Sequence, residues 1–360
     1  MAEIALSDRA EPARRLWRWM RANLFNSPLS TALTLLVLYA LIRIVPPLVD
    51  WAIVDASVDA PNEAACAARG GACWAFIAHW YRFILFGRFP HDQQWRPAIV
   101  VLLLVLALLA SGDRRLWGRG LALLWAAVLA VVGLLMWGGV FGLPHVDTDL
   151  WNGLPLTLLL AVGGLALGFP LAVLLALGRR SAMTGVRLLC TAYIEVFRGL
   201  PFITVLFMAA VLFPLFLPPD VGIAKLWRVE AAFILFLAAY LAEAVRGGLQ
   251  AIPRGQYEAA AALGFGYWRE MRLIILPQAL RIAIPPLVGT FIGGFKDTAL
   301  VSIVGLFDLL QDVAVGNNDP AWRGAYVEGY AFVAAIYFVF CYAMSRYSRS
   351  LEAQSGAGRR

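Results

Sequence analysis

IPRGQYEAAAALGFGYWREMRLIILPQALRIAIPPL, spanning Ile252–Leu287, breaks the apolar pattern of the chain around it. Tyr257 to Leu263 is an Ala-rich helix former, Gly264 and Gly266 permit a sharp turn, and Tyr267 to Ile275 reads as helix again. Pro277 suits the first turn of the next helix, where its missing N–H leaves no bond unmade. The expectation is two short helices lying in a connection between apolar spans. Small Ala side chains permit close backbone approach, while Tyr257, Trp268 and Met271 are candidate anchors for a partner. Glu258 sits where a carboxylate favours a helix start, in a capping or ion-pairing role and not as a catalytic acid. The plain alternative is an ordinary Ala-rich helix and turn.

The surrounding chain belongs in a bilayer. Of its 360 residues 61% are hydrophobic and 15% charged, too apolar for one core with a wetted surface. About eight stretches suit membrane helices, near Leu29–Val49, Pro97–Ser111, Leu121–Phe141, Leu154–Leu177, Leu188–Leu217, Val229–Val245, Ala279–Val313 and Tyr326–Met344. The fifth and seventh are long and carry Pro201 and Pro214, or Pro285, Pro286, Gly293 and Gly294, so kinked or interrupted helices are expected there.

The net charge of +7 does not point to nucleic acid, because the Arg residues are scattered between apolar runs. They fit the positive-inside rule instead. Inside fall the N-terminal arm with Arg9, Arg14, Arg15, Arg18 and Arg21, then Arg114/Arg115/Arg119, Arg179/Arg180/Arg187, Arg246 to Arg272, and the tail with Arg346, Arg349, Arg359 and Arg360. Leu143 to Gly153 has no Lys or Arg, and the connections around Asp220 and Asp319 have few. Both termini are therefore expected to be cytoplasmic. The arm shows no small-residue cleavage site after a short apolar core, so no removable signal peptide is expected.

The long outside connection from Asp50 to Arg96 contains PNEAACAARGGACW, with Gly70 and Gly71 between Cys66 and Cys73. In an oxidising compartment these two can pair; two unpaired thiols remain the alternative. Cys190 and Cys341 fall in apolar runs as small hydrophobes. Phe76 to Gly87 reads either as an interfacial amphipathic helix or as packed loop. Among ionisable groups near the spans, Glu195 with Arg198 and Glu243 with Arg246 have the i, i+3 spacing of self-neutralising pairs, with a structural or gating role. Arg43 in the first span is expected to snorkel. Lys296, Asp297 and Thr298 follow the Gly293–Gly294 pair, where a helix break would expose backbone at membrane depth. Two readings stand for them. Asp297 and Thr298 meet a substrate's amino group and carboxylate, or Lys296 and Asp297 interact to stabilise the break.

Glu258, Ala259, Ala260, Gly264, Ile274, Leu276 and Pro277 fit in full the pattern Glu-Ala-Ala, three residues, Gly, nine residues, Ile, one residue, Leu-Pro. In this the chain resembles the membrane subunits of ABC importers, in which that loop forms a coupling helix docked on an ATP-hydrolysing subunit. YIEVFRGLP (Tyr193–Pro201), YLAEAVRGGLQAIPRGQYEAA (Tyr240–Ala260) and KDTALVSIVG (Lys296–Gly305) narrow the resemblance to the polar amino-acid branch. The chain departs from that branch at Leu200, commonly Thr, and at Ala299, commonly Ser, which bears on substrate choice. The resemblance spans roughly residues 149–348. The long N-terminal extension makes the whole similar to the long permease subunit of general L-amino-acid importers.

The resemblance implies an all-α integral membrane protein of about eight transmembrane helices with a C-terminal five-helix importer core. Residues 1–148 would hold the cytoplasmic arm, three extra helices and a long periplasmic loop; 149–348 the core; 349–360 a tail. It also implies a bacterial inner-membrane permease that moves polar amino acids inward by alternating access, without enzymatic activity of its own. No G-x-x-x-x-G-K loop is present, so ATP and magnesium are expected on the partner and no cofactor or metal on this chain. Two ATPase copies, a paralogous permease or second copy of this chain, and a periplasmic amino-acid-binding protein are the expected partners. An ion-driven secondary transporter using Glu195, Glu243 and Asp297 is the rival from another class, and a non-transporting scaffold a further one.

Overall fold

The computed structural model describes residues 14–116, 118–218 and 221–355; Arg9, Asp220, Arg359 and Arg360 of the charge pattern lie outside the described residues. The described residues are helical, with two isolated bridges and no strand. The chain divides into two compact units, Met1–Ala78 and His79–Arg360.

In the first unit a helix over residues 14–23 turns through residues 24–27 into α1 (Pro28–Val49), which continues as a π turn to Val54. A reciprocal capping box starts α1: the Ser27 hydroxyl accepts from the Ser30 amide, and the Ser30 hydroxyl accepts from the Ser27 amide. Arg43 is exposed on α1. Beyond it, a short helix Glu63–Ala67 leads to a disulfide between Cys66 and Cys73, with Cα atoms 5.4 Å apart. The two glycines between the cysteines have separate tasks. Gly70 takes a φ of +77°, open to glycine at no steric cost, and a Cβ on Gly71 would strike the backbone of Asp55. Backbone bonds from Ser57 to Ala72 and from Ala72 to Trp51 stitch this hairpin to the end of the α1 segment.

Helix α2 (Trp74–Phe86) covers the stretch left open between interfacial helix and packed loop; it is helical, and Ile84 is fully buried. The second unit continues with α3 (Trp95–Ala110), α4 (Arg119–Trp137), α5 (Gly153–Arg179), α6 (Thr184–Gly199), α7 (Phe202–Phe207), α8 (Lys225–Gln250), α9 (Arg254–Ala262), α10 (Tyr267–Glu270), α11 (Leu276–Ile282), α12 (Ile284–Asp297), α13 (Leu309–Asn317) and α14 (Tyr326–Ser355). Among the described residues seven helices are long and apolar enough to cross a membrane, and α6 with Phe202–Phe216, bent by 103°, makes up to eight if that pair is counted as one span. The bend falls at Pro201, and Leu200 before it is extended, the conformation proline imposes on its predecessor.

The interruption expected at Gly293 and Gly294 is not there. Helix α12 runs through both, and the pitch tightens to 3-10 only from Thr298. Gly294 instead lets α12 approach α8: a Cβ there would lie 3.1 Å from Leu237 Cδ1. Small residues mediate close approach throughout the core, as expected where lipid leaves helices no hydrophobic drive to associate. On α5, Gly164 faces the Phe233 ring of α8, and Gly168 would bring a Cβ to 3.3 Å from the Ile234 carbonyl. At the other end of α8, Gly248 lies against the Ala279 carbonyl of α11.

Arg96 in α3 is fully buried, and among the described residues it has no acidic partner. Its guanidinium donates to the carbonyls of Leu135 (2.6 Å), Pro144 (2.9 Å) and Met136 (3.5 Å), capping the C-terminal end of α4 where carbonyls lack intrahelical partners. These bonds tie α3 to the end of α4.

Gly247 and Gly248 make a paired test of the seam. A Cβ on Gly247 meets open space, so Gly247→Ala should be neutral or stabilising by up to about 1 kcal/mol through helix propensity. Gly248→Ala should destabilise by roughly 1–3 kcal/mol, because its Cβ has nowhere to go. Thermal unfolding of the two variants in detergent reads the opposite signs.

Candidate functional site

The Ile252–Leu287 segment folds as two helical pieces around one obligatory turn. Helix α9 ends in a Schellman motif: the Phe265 amide donates to Ala260 (3.1 Å) and the Gly264 amide to Ala261 (2.9 Å), with Gly264 left-handed at φ +73°. A Cβ at Gly264 would touch nothing, so conformation and not space demands glycine there. Gly266 has no such constraint and caps α10 in an extended conformation. After α10 comes a π turn, Met271–Ile275, and then α11 with Pro277 in its first turn. The wider turn accommodates a ring that lacks an N–H and would crowd the carbonyl of Leu273 in a regular helix.

Of the motif residues, Ala260 is buried, Ile274 and Leu276 are half-buried, and Glu258, Ala259, Gly264 and Pro277 are exposed. The expected anchors divide differently. Met271 is buried against the rest of its own chain and is not available to a partner. Tyr257 is engaged internally, accepting from Arg180 Nη1 (3.1 Å) and donating to the Leu249 carbonyl (3.3 Å). Trp268 is 69% exposed, with Tyr267 edge-on to it, and Leu263, at 71% exposure, provides a second exposed apolar group that sequence reading had not singled out.

Arg180 is the tie between this segment and the bundle. It closes α5, donates to Leu249 near the end of α8 (3.0 Å) as well as to Tyr257, and stands over the Tyr257 ring. Its neighbour Arg179 reaches the other way, to Glu195 on α6 and Glu243 on α8, both at 2.7 Å. Glu243 also receives Arg246 (2.7 Å) and Arg198 (3.5 Å). The i, i+3 pair Glu243–Arg246 forms, whereas Glu195 pairs with Arg179 and Arg198 turns to Glu243. Two self-contained pairs are thus replaced by one cluster centred on Glu243, which pins α5, α6 and α8 together.

Thr298 is fully buried and donates its hydroxyl to the Phe295 carbonyl at 2.7 Å, so it is not free to receive a substrate carboxylate. Among the described residues Lys296 and Asp297 form no ion pair with each other or with this cluster; Lys296 is exposed and Asp297 half-buried. The structure instead draws attention to carboxylates that the sequence reading passed over. On α8, Glu230 has a buried Oε1 with no hydrogen-bond partner, facing Gly163 of α5. Asp308 caps α13 through the Gln311 amide (3.0 Å) and accepts from Tyr337 (3.4 Å), and Asp312 one turn on is buried with both oxygens unpartnered. Burial, followed by the charge of Asp308, pushes the Asp312 carboxyl up to about 9. The signal was present in the sequence: two acids four apart in LFDLLQDV, within a stretch assigned wholly to a span. No group of three or more His, Cys, Asp or Glu among the described residues is placed to hold a metal.

Residues 164–353, which hold the seam, the cluster and the loop, match the model for binding-protein-dependent transport system inner membrane components. The chain belongs to that family. Over all of its length it is 45% identical to the inner membrane amino-acid ABC transporter permease protein YhdY of Escherichia coli K12, of which 99% is covered. It is 41% identical over 93% of its length to the glutamate/glutamine/aspartate/asparagine transport system permease protein BztC of Rhodobacter capsulatus, covering 92% of that protein. A crystal structure of an amino acid ABC transporter with histidines is 31% identical, covering 55% of this chain and 90% of that one at a TM-score of 0.49. As a family member the chain is a multi-pass permease of the inner membrane, with the all-helical fold expected from its spans.

The permease's cluster should be unequal in its dependence on its two acids. Glu243→Gln removes the 15%-exposed centre from three guanidiniums and should approach the roughly 3–5 kcal/mol cost of breaking a buried pair. Glu195→Gln, at 56% exposure, should cost about 1 kcal/mol or less. Thermal unfolding in detergent ranks them. Asp312 gives a pH signature. Folded, it keeps its proton to about 9, while unfolded it releases it near 3.8, so stability is greatest below that window and falls as pH rises through it. Asp312→Asn should flatten the decline and gain most near the top of the window; parallel unfolding curves between pH 5 and 9 would contradict this.

Proposed function

We propose that this permease forms one half of the translocation pore of an amino-acid importer and works by alternating access, driven through the Glu258–Pro277 loop by a separate ATPase. The carrying observation is the Arg180–Tyr257–Leu249 contact, which fastens α9 to the ends of α5 and α8 while Leu263 and Trp268 stay exposed. A partner that seats those two side chains and then moves would move α9, and with it two core helices. Glu258, Ala259, Ala260, Gly264, Ile274, Leu276 and Pro277 shape that docking element. Glu195, Arg198, Glu243 and Arg246 have the supporting role of holding α5, α6 and α8 in register so that the motion is shared.

The partners follow from this reading: two copies of the ATPase carrying ATP and magnesium, a paralogous permease or second copy of this chain for the other half of the pore, and a periplasmic binding protein delivering the cargo. This chain needs no cofactor of its own. Amino acids are the cargo class named for both full-length relatives. Lys296 and Asp297 are the pathway residues of this proposal, without Thr298. This reading puts the loop and both termini on the cytoplasmic side, which the Arg-rich connections support. Residues 149–348 form the transport core, 1–148 an accessory region and 349–360 a tail.

The test is Gly264→Arg in the reconstituted complex. Arginine pays the left-handed backbone penalty of roughly 1–2 kcal/mol and projects a long cation beside the docking face. Uptake and its stimulation of ATP hydrolysis should fall to background while the protein remains inserted. Normal ATP-driven uptake in this variant, or uptake by the natural complex from an ion gradient without ATP, would overturn the reading.

A further inference from the structure

The helix over residues 14–23 carries two unlike faces. At about 100° per residue, Arg14, Arg15, Arg18 and Arg21 share an arc of about 120°, while Leu16, Trp17, Trp19 and Met20 occupy the opposite side. Leu16, Trp17 and Trp19 are 59%, 62% and 56% exposed, and all four arginines are exposed. Among the described residues none of these arginines has an ion-pair partner, and no acid occurs between Arg14 and Val49.

Its depth is fixed by the turn that follows. The Thr34 hydroxyl, in the second turn of α1, donates to the Leu24 carbonyl at 2.9 Å; Ser30 reaches back to Asn26 at 2.6 Å; and Asn23 bonds to the Trp19 carbonyl at 2.9 Å. The chain therefore folds back alongside the first two turns of α1, and the C-terminal end of the surface helix lies beside them. The candidate span Pro28–Val54 has 27 residues. Its length of about 40 Å exceeds the ≈ 30 Å hydrocarbon core, which leaves the hydroxyl-rich start Ser27, Ser30, Thr31 and Thr34 in the headgroup zone. Leu24 is held at that level, and the Trp and Leu face with it.

We propose that residues 14–23 form an interfacial helix that binds anionic phospholipid headgroups. Leu16, Trp17, Trp19 and Met20 enter the acyl boundary, and Arg14, Arg15, Arg18 and Arg21 pair with lipid phosphates. This goes beyond counting positive charge for topology. It assigns a ligand class to a defined face, and it is independent of the transport reading. The charge complementarity selects anionic over zwitterionic lipid: each basic side chain near a negative surface is worth roughly five-fold in partition, so four together are worth on the order of a hundredfold or more.

The experiment is hydrogen exchange on the intact chain in nanodiscs of pure phosphatidylcholine and of phosphatidylcholine with phosphatidylglycerol. Exchange over residues 14–25 should slow at least ten-fold with phosphatidylglycerol, while α8 is unchanged, and high salt should reverse the effect by screening. Replacing the four arginines together by glutamine should abolish the response, and replacing them by lysine should retain most of it. Equal protection in both bilayers, or an unaltered response in the glutamine variant, would overturn the proposal. If the glutamine variant fails to insert, the salt titration on the natural sequence decides: a lipid-dependent protection that salt leaves untouched also overturns it.

Discussion

The close approach of α5 and α8 is the constraint on which the second unit depends. In lipid a helix has no hydrophobic reason to leave one apolar neighbour for another, so association rests on packing and on the few polar bonds that backbone proximity permits. Gly164 and Gly168 bring the α5 backbone near Phe233 and Ile234. That proximity is what allows Arg179, at the far end of α5, to reach Glu243 on α8 and Glu195 on α6 in one span of its guanidinium. Side chains larger than hydrogen in the seam would separate the helices, and the charged cluster would lose its geometry before any of its own residues changed.

Two adjacent arginines then divide the work of that helix end. Arg179 points into the bundle and gathers carboxylates, whereas Arg180 points to the connection beyond α8 and holds Tyr257 and the Leu249 carbonyl. Successive residues on a helix lie about 100° apart, so neighbours naturally face different partners. The family's loop is thereby attached to the core through a polar contact at its start, while its apolar tip at Leu263 and Trp268 is left outside.

Much of this was legible from residue patterns. The spans followed from uninterrupted apolar runs, and the bend at Pro201 from the stiffness of proline and its predecessor. The loop followed from an Ala run stopped by glycine, and the Schellman geometry explains why Gly264 and not Gly266 is the essential one. Other features depended on distance in space, which local spacing does not encode. Glu195 and Arg198 are well spaced for each other, yet Arg179, sixteen residues before Glu195, reaches the carboxylate first. Gly293 and Gly294 looked like a break because glycine weakens helices, but the helix runs through both, and the bareness of Gly294 serves contact with α8. Met271 looked like an outward anchor, yet it is buried against its own chain. Arg96 was hidden at the edge of a span, where nothing in its neighbours signals that it will close the end of another helix.

The π turn has one more consequence. From Tyr267 through Ile282 the chain passes from α10 to α11 without a single non-helical residue. These residues form a lever about 24 Å long at the usual rise, with Trp268 near one end and the irregular Ala283 at its fulcrum. A flexible linker would absorb a push on the indole; under the proposed coupling a continuous helix would carry it to the foot of α12. The extra residue in the wide turn also resets the azimuth of α11 relative to α10. Removing one residue there would keep the length of the arm almost the same and swing every side chain beyond it by about a quarter of a turn.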